Sequence, residues 1–352
     1  MKVSASGVHA YADSDHHTSV HQSQNRTTDS KIFSATLIQK FVRGHFARQQ
    51  VSVGTEAPGI TRTTIQSPQQ SSKLLAEDGT PLKLIQENLK PGATYNRLTI
   101  QDGARTLNVL GTQNGELPVN PKVQAQKASL NSAIINGGYF VHVPNKETDS
   151  GEKIQGIGRT VGPTGHRDDH TPVPNPWKQD YRTIKSGDDT LLTSGPLLYQ
   201  PGEEKPSFDD DRFRYRLNTE QGVITNPLNI RAGAMTSDNN ERAAISLEPN
   251  GDIRMHTATA EGNKKLSPTI EQWQSIAMHG AAPQSAILNV DGGGSVFMGV
   301  QTPDGIKQVS RGGKPDTEIR PIPNILTSRV PTQAEKEDPA LSRPVYLDKV
   351  SD

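Results

Sequence analysis

The chain contains no cysteine among its 352 residues. That excludes disulfides, thiolate metal sites and cysteine nucleophiles, and with them a small secreted fold held together by disulfides. Apolar side chains are scarce as well: hydrophobic residues make up 32% and aromatic residues 5%, below the usual share for a globular chain. Neither sign of charge is in excess, with 38 basic and 38 acidic residues and a net charge of +0. Nothing global therefore steers the chain toward nucleic acid or an anionic membrane surface. No apolar run approaches the ~20 residues that a spanning helix requires. The opening residues also lack the charged-then-apolar order of a cleavable signal peptide. A soluble protein is expected.

The apolar deficit is uneven, and that unevenness divides the chain. Residues 1–30 are rich in Ser, His, Thr, Asp and Gln, and read as a disordered leader. Residues 31–51 form an amphipathic pattern, 52–72 a Thr/Gln/Ser/Pro/Gly linker, 73–328 a globular domain, and 329–352 a polar, proline-bearing tail.

In 31–51 (KIFSATLIQKFVRGHFARQQV) the apolar residues Phe33, Leu37, Ile38, Phe41, Val42 and Phe46 recur at steps of three and four, the spacing of one helical face. Ser30 or Ser34 is placed to cap its start. The other face carries Lys31, Lys40, Arg43, His45 and Arg48 with no acid, which suits an acidic partner or an anionic lipid surface. The order Ile38-Gln39, Arg43-Gly44, Arg48, Val51 resembles the IQ motif of calmodulin-binding helices. The resemblance implies calmodulin as partner, with Ile38, Phe41, Val42 and Val51 on the apolar face. Gln39 would meet a semi-open lobe, Gly44 would permit close approach, and Arg43 and Arg48 would face acidic surface. The alternative is a helix packed on the chain's own core.

The globular part is predicted as α+β with strands in the majority. Strands are expected at 95–100, 106–110, 133–135, 197–199, 243–247, 253–257 and 286–290, punctuated by Gly, Asn, Pro and Asp. One helix is expected before the last of these. Ser267 would cap it, Pro268 would lie in its first turn, Ile270, Trp273 and Ala277 would form its stripe, and Gly280 would end it.

Two segments echo each other: SAIINGGYF at 132–140 and SAILNVDGGGS at 285–295. Each runs from a short apolar strand into a polar residue and glycines. Such glycines permit positive φ, and successive amides in such a turn can form an anion-binding nest beside Asp291. A pair of ordinary tight turns is the plainer alternative.

Taken with SGPLLYQPG (194–202), ERAAISLEPNG (241–251) and RPIPN (320–324), these segments resemble, in order and spacing, the phosphodiester glycosidase family over about residues 90–328. The sequence departs from the family's pattern at Val290 and Val296 and through 146–190. The resemblance implies a strand-rich catalytic domain that hydrolyses a sugar–phosphate C1–O bond. A phosphate leaving group, with a pKa near 6, departs without a strong acid, while positive charge develops at the sugar. The site so implied has Asp291 as general base or electrostatic stabiliser. The amides of Gly292, Gly293, Gly294 and Ser295, with the Ser295 hydroxyl, would hold the phosphate. Asn136, Gly137 and Gly138 would line the facing wall, Arg242 and Arg320 would clamp phosphate oxygens, and Asn324 would orient Asp291 or a sugar hydroxyl.

Other polar clusters are expected to be structural. GHRDDH at 165–170 offers His166, Asp168, Asp169 and His170 but reads as a solvated loop, with a lid as alternative. Asp209, Asp210 and Asp211 read as a turn that could take a hard cation. His279 suits a helix C-terminus. No cofactor is required by this reading, although a divalent cation is compatible with it. The sequence thus points to a calmodulin-binding hydrolase of a sugar phosphodiester or nucleotide sugar, made by a bacterium and acting in host cytoplasm. The alternative is a non-catalytic binder that sequesters calmodulin.

Overall fold

A computed structural model describes residues 82–89, 92–141, 158–173, 175–208, 239–315 and 317–350, all within one compact unit, Ser52–Asp352. The expected helix at 31–51 and the acidic run at 209–211 lie outside the described residues.

The domain is strand-rich. In chain order the elements are β1 (Lys83–Leu89), β2 (Ala93–Ile100), β3 (Asn108–Gly111), α1 (Pro121–Ala125), β4 (Ala133–Asn136), β5 (Thr160–Val161), β6 (His170–Thr171), α2 (Asn175–Lys178), β7 (Arg182–Ser186), β8 (Asp189–Ser194), β9 (Leu197–Tyr199), β10 (Arg242–Leu247), β11 (Ile253–Thr259), α3 (Ile270–Gly280), β12 (Ala286–Val290), β13 (Phe297–Thr302), β14 (Gly305–Arg311), β15 (Asn324–Ser328), α4 (Gln333–Glu337) and β16 (Val345–Lys349). They assemble into a six-stranded sheet, β1-β2-β11-β10-β12-β9, and a five-stranded sheet, β14-β13-β4-β15-β3. A three-stranded sheet, β16-β7-β8, and the short pair β5-β6 complete it.

The period-two alternation of the central strands decides which face goes where. From β10 and β12, Ala243, Ile245, Leu288 and Val290 point into a central core that also takes Ile135, Met298 and Leu326 from the five-stranded sheet. Their neighbours Ala244 and Ile287 point the other way, against α3. Strands covered on both faces are continuously apolar, which is why β9 and β12 match their predicted bounds and β10 and β11 begin or end within two residues of theirs. The strand predicted at 106–110 begins at Asn108, because Gly103–Thr106 forms a 3₁₀ turn instead.

Helix α3 is present, but its start differs from expectation. Thr269, not Ser267, is the cap: its hydroxyl accepts from the Gln272 amide, and the Gln272 side chain accepts from the Thr269 amide. This reciprocal pairing satisfies two donors at once, and it places Pro268 before the cap rather than in the first turn. Ile270, Trp273 and Ala277 are fully buried on the sheet. At the other end, Arg97 and Arg254 each donate to the Gly280 carbonyl at 2.6 Å, favourable for cations at a helix C-terminus.

The region expected as a tail from residue 329 contributes structure. Strand β16 pairs along its whole length with β7, and Leu347 enters the central core. Its alternating short pattern, VYLDK, offers one buried side chain and so resembles a solvated segment in sequence.

Candidate functional site

The two echoing segments meet where the two large sheets meet. Strand β12 belongs to the six-stranded sheet and β13 to the five-stranded one, so residues 291–296 carry the chain from one to the other. Gly137, just past β4, bridges the same gap. Its amide donates to the Asn324 carbonyl at 3.0 Å, and its carbonyl accepts from the Asp291 amide at 3.0 Å. Asn136 fastens the corner: its side-chain nitrogen donates to the Asp291 carbonyl at 2.8 Å, and its oxygen accepts from the Phe297 amide at 3.1 Å.

Each glycine after Asp291 has its own reason. A side chain on Gly292 would stand 2.7 Å from the Glu241 carbonyl oxygen; Gly293 has φ +59°; and a side chain on Gly294 would stand 2.9 Å from the Arg320 guanidinium. The expected row of four outward amides is not formed. Gly292 donates to the Asp291 carboxylate at 2.8 Å, Gly293 to the Glu241 carbonyl at 2.8 Å, and Ser295 to the Gly292 carbonyl at 3.2 Å. Crossing between sheets turns these amides inward, because buried backbone donors must be paired. Among the described residues, the Gly294 amide alone of the four has no acceptor. Arg320 lies over Gly294 and donates to the Ser295 hydroxyl at 3.3 Å, with its own surface exposed.

Arg242 is placed differently from Arg320. It is buried, and its Nε donates to the Pro268 carbonyl at 3.2 Å, tying β10 to the start of α3. Asn136 and Asn324 are fully buried, as are the backbones of Gly137 and Gly138. Asn136, expected to touch substrate, has both ends of its amide engaged in the corner. Its bonds tie the backbone of Asp291 to that of Phe297.

Three residues of the site escaped the sequence reading. Tyr139 lies beside Asp291, its oxygen accepting from Asn289 Nδ2 at 3.1 Å. Burial, then the Asp291 charge, raise its pKa, while Arg242 and the Asn289 bond act in the opposite direction. It therefore stays a neutral hydrogen-bond donor. Asn289 also donates to the Gly195 carbonyl at 2.9 Å, so SGPLL joins this corner. Glu241 is buried, and its carboxylate accepts from Gly262 at 3.2 Å and Gly313 at 2.8 Å, gathering two loops around Gly293. Burial raises its pKa against those bonds. Tyr139 stands inside INGGYF and Asn289 inside NVDGGGS, so both were within the recognised segments. Nothing in the sequence marks Glu241's partners, which are backbone amides.

The GHRDDH segment is not solvated throughout. Arg167 is 4% exposed and makes a two-pronged ion pair with Asp169 at 2.6 and 2.8 Å, and it also donates to Gly158 and Thr112. That pairing draws the Asp169 carboxyl below its usual range. Asp168 is exposed, His170 enters β6, and His166 packs on Gly111. The four candidate ligands diverge, and among the described residues no group of three or more acidic or histidine side chains is arranged to hold a metal ion.

Burial, with the neighbouring Arg167 charge, lowers the His166 pKa to about 4, against the partial opposition of Asp169. Unfolding returns it to about 6.5, so between those values the unfolded chain binds the extra proton. The stability that neutral His166 contributes is complete above pH ~6.5 and disappears as pH falls through ~4. We expect the melting temperature to drop across this window, and to drop less steeply in a His166→Phe protein. Equal slopes for the two in calorimetric scans would refute the assignment.

The chain matches the phosphodiester glycosidase family over residues 129–327, and it belongs to that family. It has no match among curated proteins. Among solved structures it is similar to the catalytic domain of zebrafish N-acetylglucosamine-1-phosphodiester alpha-N-acetylglucosaminidase auto-inhibited by its pro-peptide. Identity there is 16% over 80% of this chain and 87% of that one, with a TM-score of 0.43. It is also similar to a hypothetical protein from Synechocystis, at 14% identity over 80% of this chain and 69% of that one, with a TM-score of 0.36. Among the described residues no helix is long and apolar enough to cross a membrane.

Proposed function

We propose that the chain hydrolyses the C1–O bond between a sugar and a phosphate, in a sugar phosphodiester or a nucleotide sugar. One observation carries this reading: the acid Asp291 opens a turn whose remaining amide donor, Gly294, lies under the exposed guanidinium of Arg320. A carboxylate next to an anion holder is what the reaction requires. Water attacks C1 and loses a proton to the Asp291 carboxylate, the water oxygen becomes the sugar's hydroxyl, and the bridging oxygen leaves with the phosphomonoester. Arg320, Ser295 and the Gly294 amide stabilise that charge, and neutral Tyr139 donates a further hydrogen bond. Arg242 acts through the placement of β10 and α3, and Asn136 through the placement of Asp291.

The IQ-like spacing at Ile38-Gln39, Arg43-Gly44, Arg48 and Val51 supports calmodulin as a partner. A calmodulin helix ahead of a catalytic domain supports action inside a eukaryotic host cell, as a bacterial effector gated by calmodulin. Incubating the full chain with sugar-1-phosphodiesters and nucleotide sugars, with and without calmodulin, tests both parts. Free sugar plus phosphomonoester, released faster with calmodulin, is the expected result. Tight calmodulin binding with no turnover of any substrate would instead favour a binding protein that sequesters calmodulin. An Ile38→Ala/Gln39→Ala chain is expected to bind calmodulin at least tenfold more weakly; unchanged titration calorimetry would remove the partner.

A further inference from the structure

Strand β16 ends its sheet, with β7 on one side and no strand on the other among the described residues. The phase of its pairing decides which backbone groups that free side presents. The Gly187 amide donates to the Pro344 carbonyl at 2.9 Å. Residue pairs that exchange hydrogen bonds alternate along an antiparallel ladder. Tyr346, opposite Lys185, and Asp348, opposite Thr183, therefore bond β7. Val345, Leu347 and Lys349 turn their amides and carbonyls away from it. Lys349 agrees with this phase, since its amide donates to the Asp348 side chain at 2.9 Å. Among the described residues, Val345 and Leu347 make no backbone bond outside the β7 pairing.

That free side borders a cavity of about 550 Å³. Val345 and Leu347 line it together with Leu247, Ile253 and the turn that joins β10 to β11. Leu247, Ile253 and Leu347 belong to the central core, so the cavity has an apolar part where that core reaches the surface. The cations around it are already engaged: Arg105 with Asp102 at 2.8 Å, and Arg343 with Asp189 at 2.7 Å. Of the acids, Asp102 is held by Arg105, and Glu248 accepts from the Ala282 amide and the Ser285 hydroxyl, both at 2.8 Å. The Asp252 carboxylate, in the turn, accepts from the Asp102 amide at 2.9 Å and pairs with no cation among the described residues. Unused strand amides and carbonyls, apolar surface and one uncompensated carboxylate thus share a single cavity.

We propose that this cavity takes an extended peptide, which adds as a strand to β16 and brings a basic residue to Asp252. In strand addition the main-chain bonds supply affinity and alternate side chains supply choice. About five residues, at ~3.4 Å each, match β16 in length. Alternate apolar side chains of the peptide lie on the face of Leu347, toward the core, and the others on the face of Tyr346, which is 40% exposed. A second copy of this chain fits less well, because its edge strand arrives with a whole sheet behind it and the β10–β11 turn already lines the cavity. The place is separate from the hydrolytic corner. Ala286 lines the cavity at the start of β12, whereas Asp291 follows the end of that strand, about 17 Å away along an extended backbone. The inference therefore stands independently of the hydrolase reading, and a bound partner leaves Asp291 uncovered.

The test titrates the full chain with the synthetic peptide acetyl-LTVTVK-amide by calorimetry and follows amide exchange in β16. Binding is expected, with exchange slowed at Val345 and Leu347, while Tyr346 and Asp348 are slow from the start. Of two peptides N-methylated at alternate residues, one in odd and one in even positions, the one blocked on its bonding edge should lose binding. Val345→Pro removes one outward amide without touching the β7 pairing, and should weaken binding about threefold to tenfold, the worth of one hydrogen bond. Asp252→Lys should reject this peptide and accept acetyl-LTVTVE-amide, an exchange of preference that a folding defect does not produce. No binding of the first peptide, or equal binding of both methylated forms, overturns the proposal. So does slow exchange of Val345 and Leu347 in the dilute free chain. Protection of those two amides that grows with protein concentration, without peptide, would assign the edge to a second copy and also overturn it.

Discussion

An Asp291→Asn protein should keep its fold and lose turnover by about 10²–10⁴-fold, the range for removing a positioned acid–base group. The substitution retains an oxygen to accept the Gly292 amide, now bonded at 2.8 Å, and leaves the Gly137 and Asn136 bonds to the Asp291 backbone intact. Melting temperature should therefore change little. The amide cannot take a proton from water, nor carry the negative charge that shields a developing oxocarbenium ion. Product release followed by NMR measures the loss. Full turnover in a normally folded variant would strip Asp291 of its role, and the hydrolase reading would need a different acid.

A Gly312→Ala protein should suffer in both respects. The added methyl would strike the Gly293 carbonyl oxygen and stand 3.0 Å from the Glu241 carboxylate. Gly293 cannot yield easily, since its amide is held by Glu241 at 2.8 Å and its carbonyl by Val296 at 3.1 Å. Overpacking of this kind costs about 1–3 kcal/mol, or a fall of roughly 2–10 °C in melting temperature for a domain of this size. Displacing the turn by a fraction of an ångström also moves the Gly294 amide and Arg320 relative to Asp291. Misplacement on that scale can cost about 10²-fold in rate. Calorimetry and the same turnover assay read the two effects; normal values in both would mean that the turn does not define the site.

The parts of this fold that were legible in sequence share a physical cause. Strands β9 and β12 are short, covered on both faces and bounded by turn residues, so their limits stand out. Strands β7 and β16 each place few side chains in the core, Ile184 and Leu347 among them, and that pattern is too sparse to distinguish from a loop. Strand β1 reads KLIQENL, intermediate or exposed over most of its length. The site divides in the same way. Arg320 lies against Gly294 and Ser295, in the turn that Asp291 opens. The anion nest did not form, because the pairing of Gly292, Gly293 and Ser295 depends on which sheet each flanking strand joins. That is a property of topology, which residue types alone do not encode. His166 illustrates the other limit: charged residues follow it in sequence, whereas in space its ring lies on the bare backbone of Gly111.

The pairing of β16 with β7 has a bearing on synthesis. Translation makes β7 and β8 more than 150 residues before Val345 emerges, and domains commonly begin to fold while still on the ribosome. Until then the edge of β7 offers unpaired amides and carbonyls to any strand nearby. A nascent chain stalled upstream of residue 345 can assemble the two large sheets but not the small one. Synthesis of β16 thus acts as a closing latch, and its emergence becomes the moment at which this edge ceases to be adhesive.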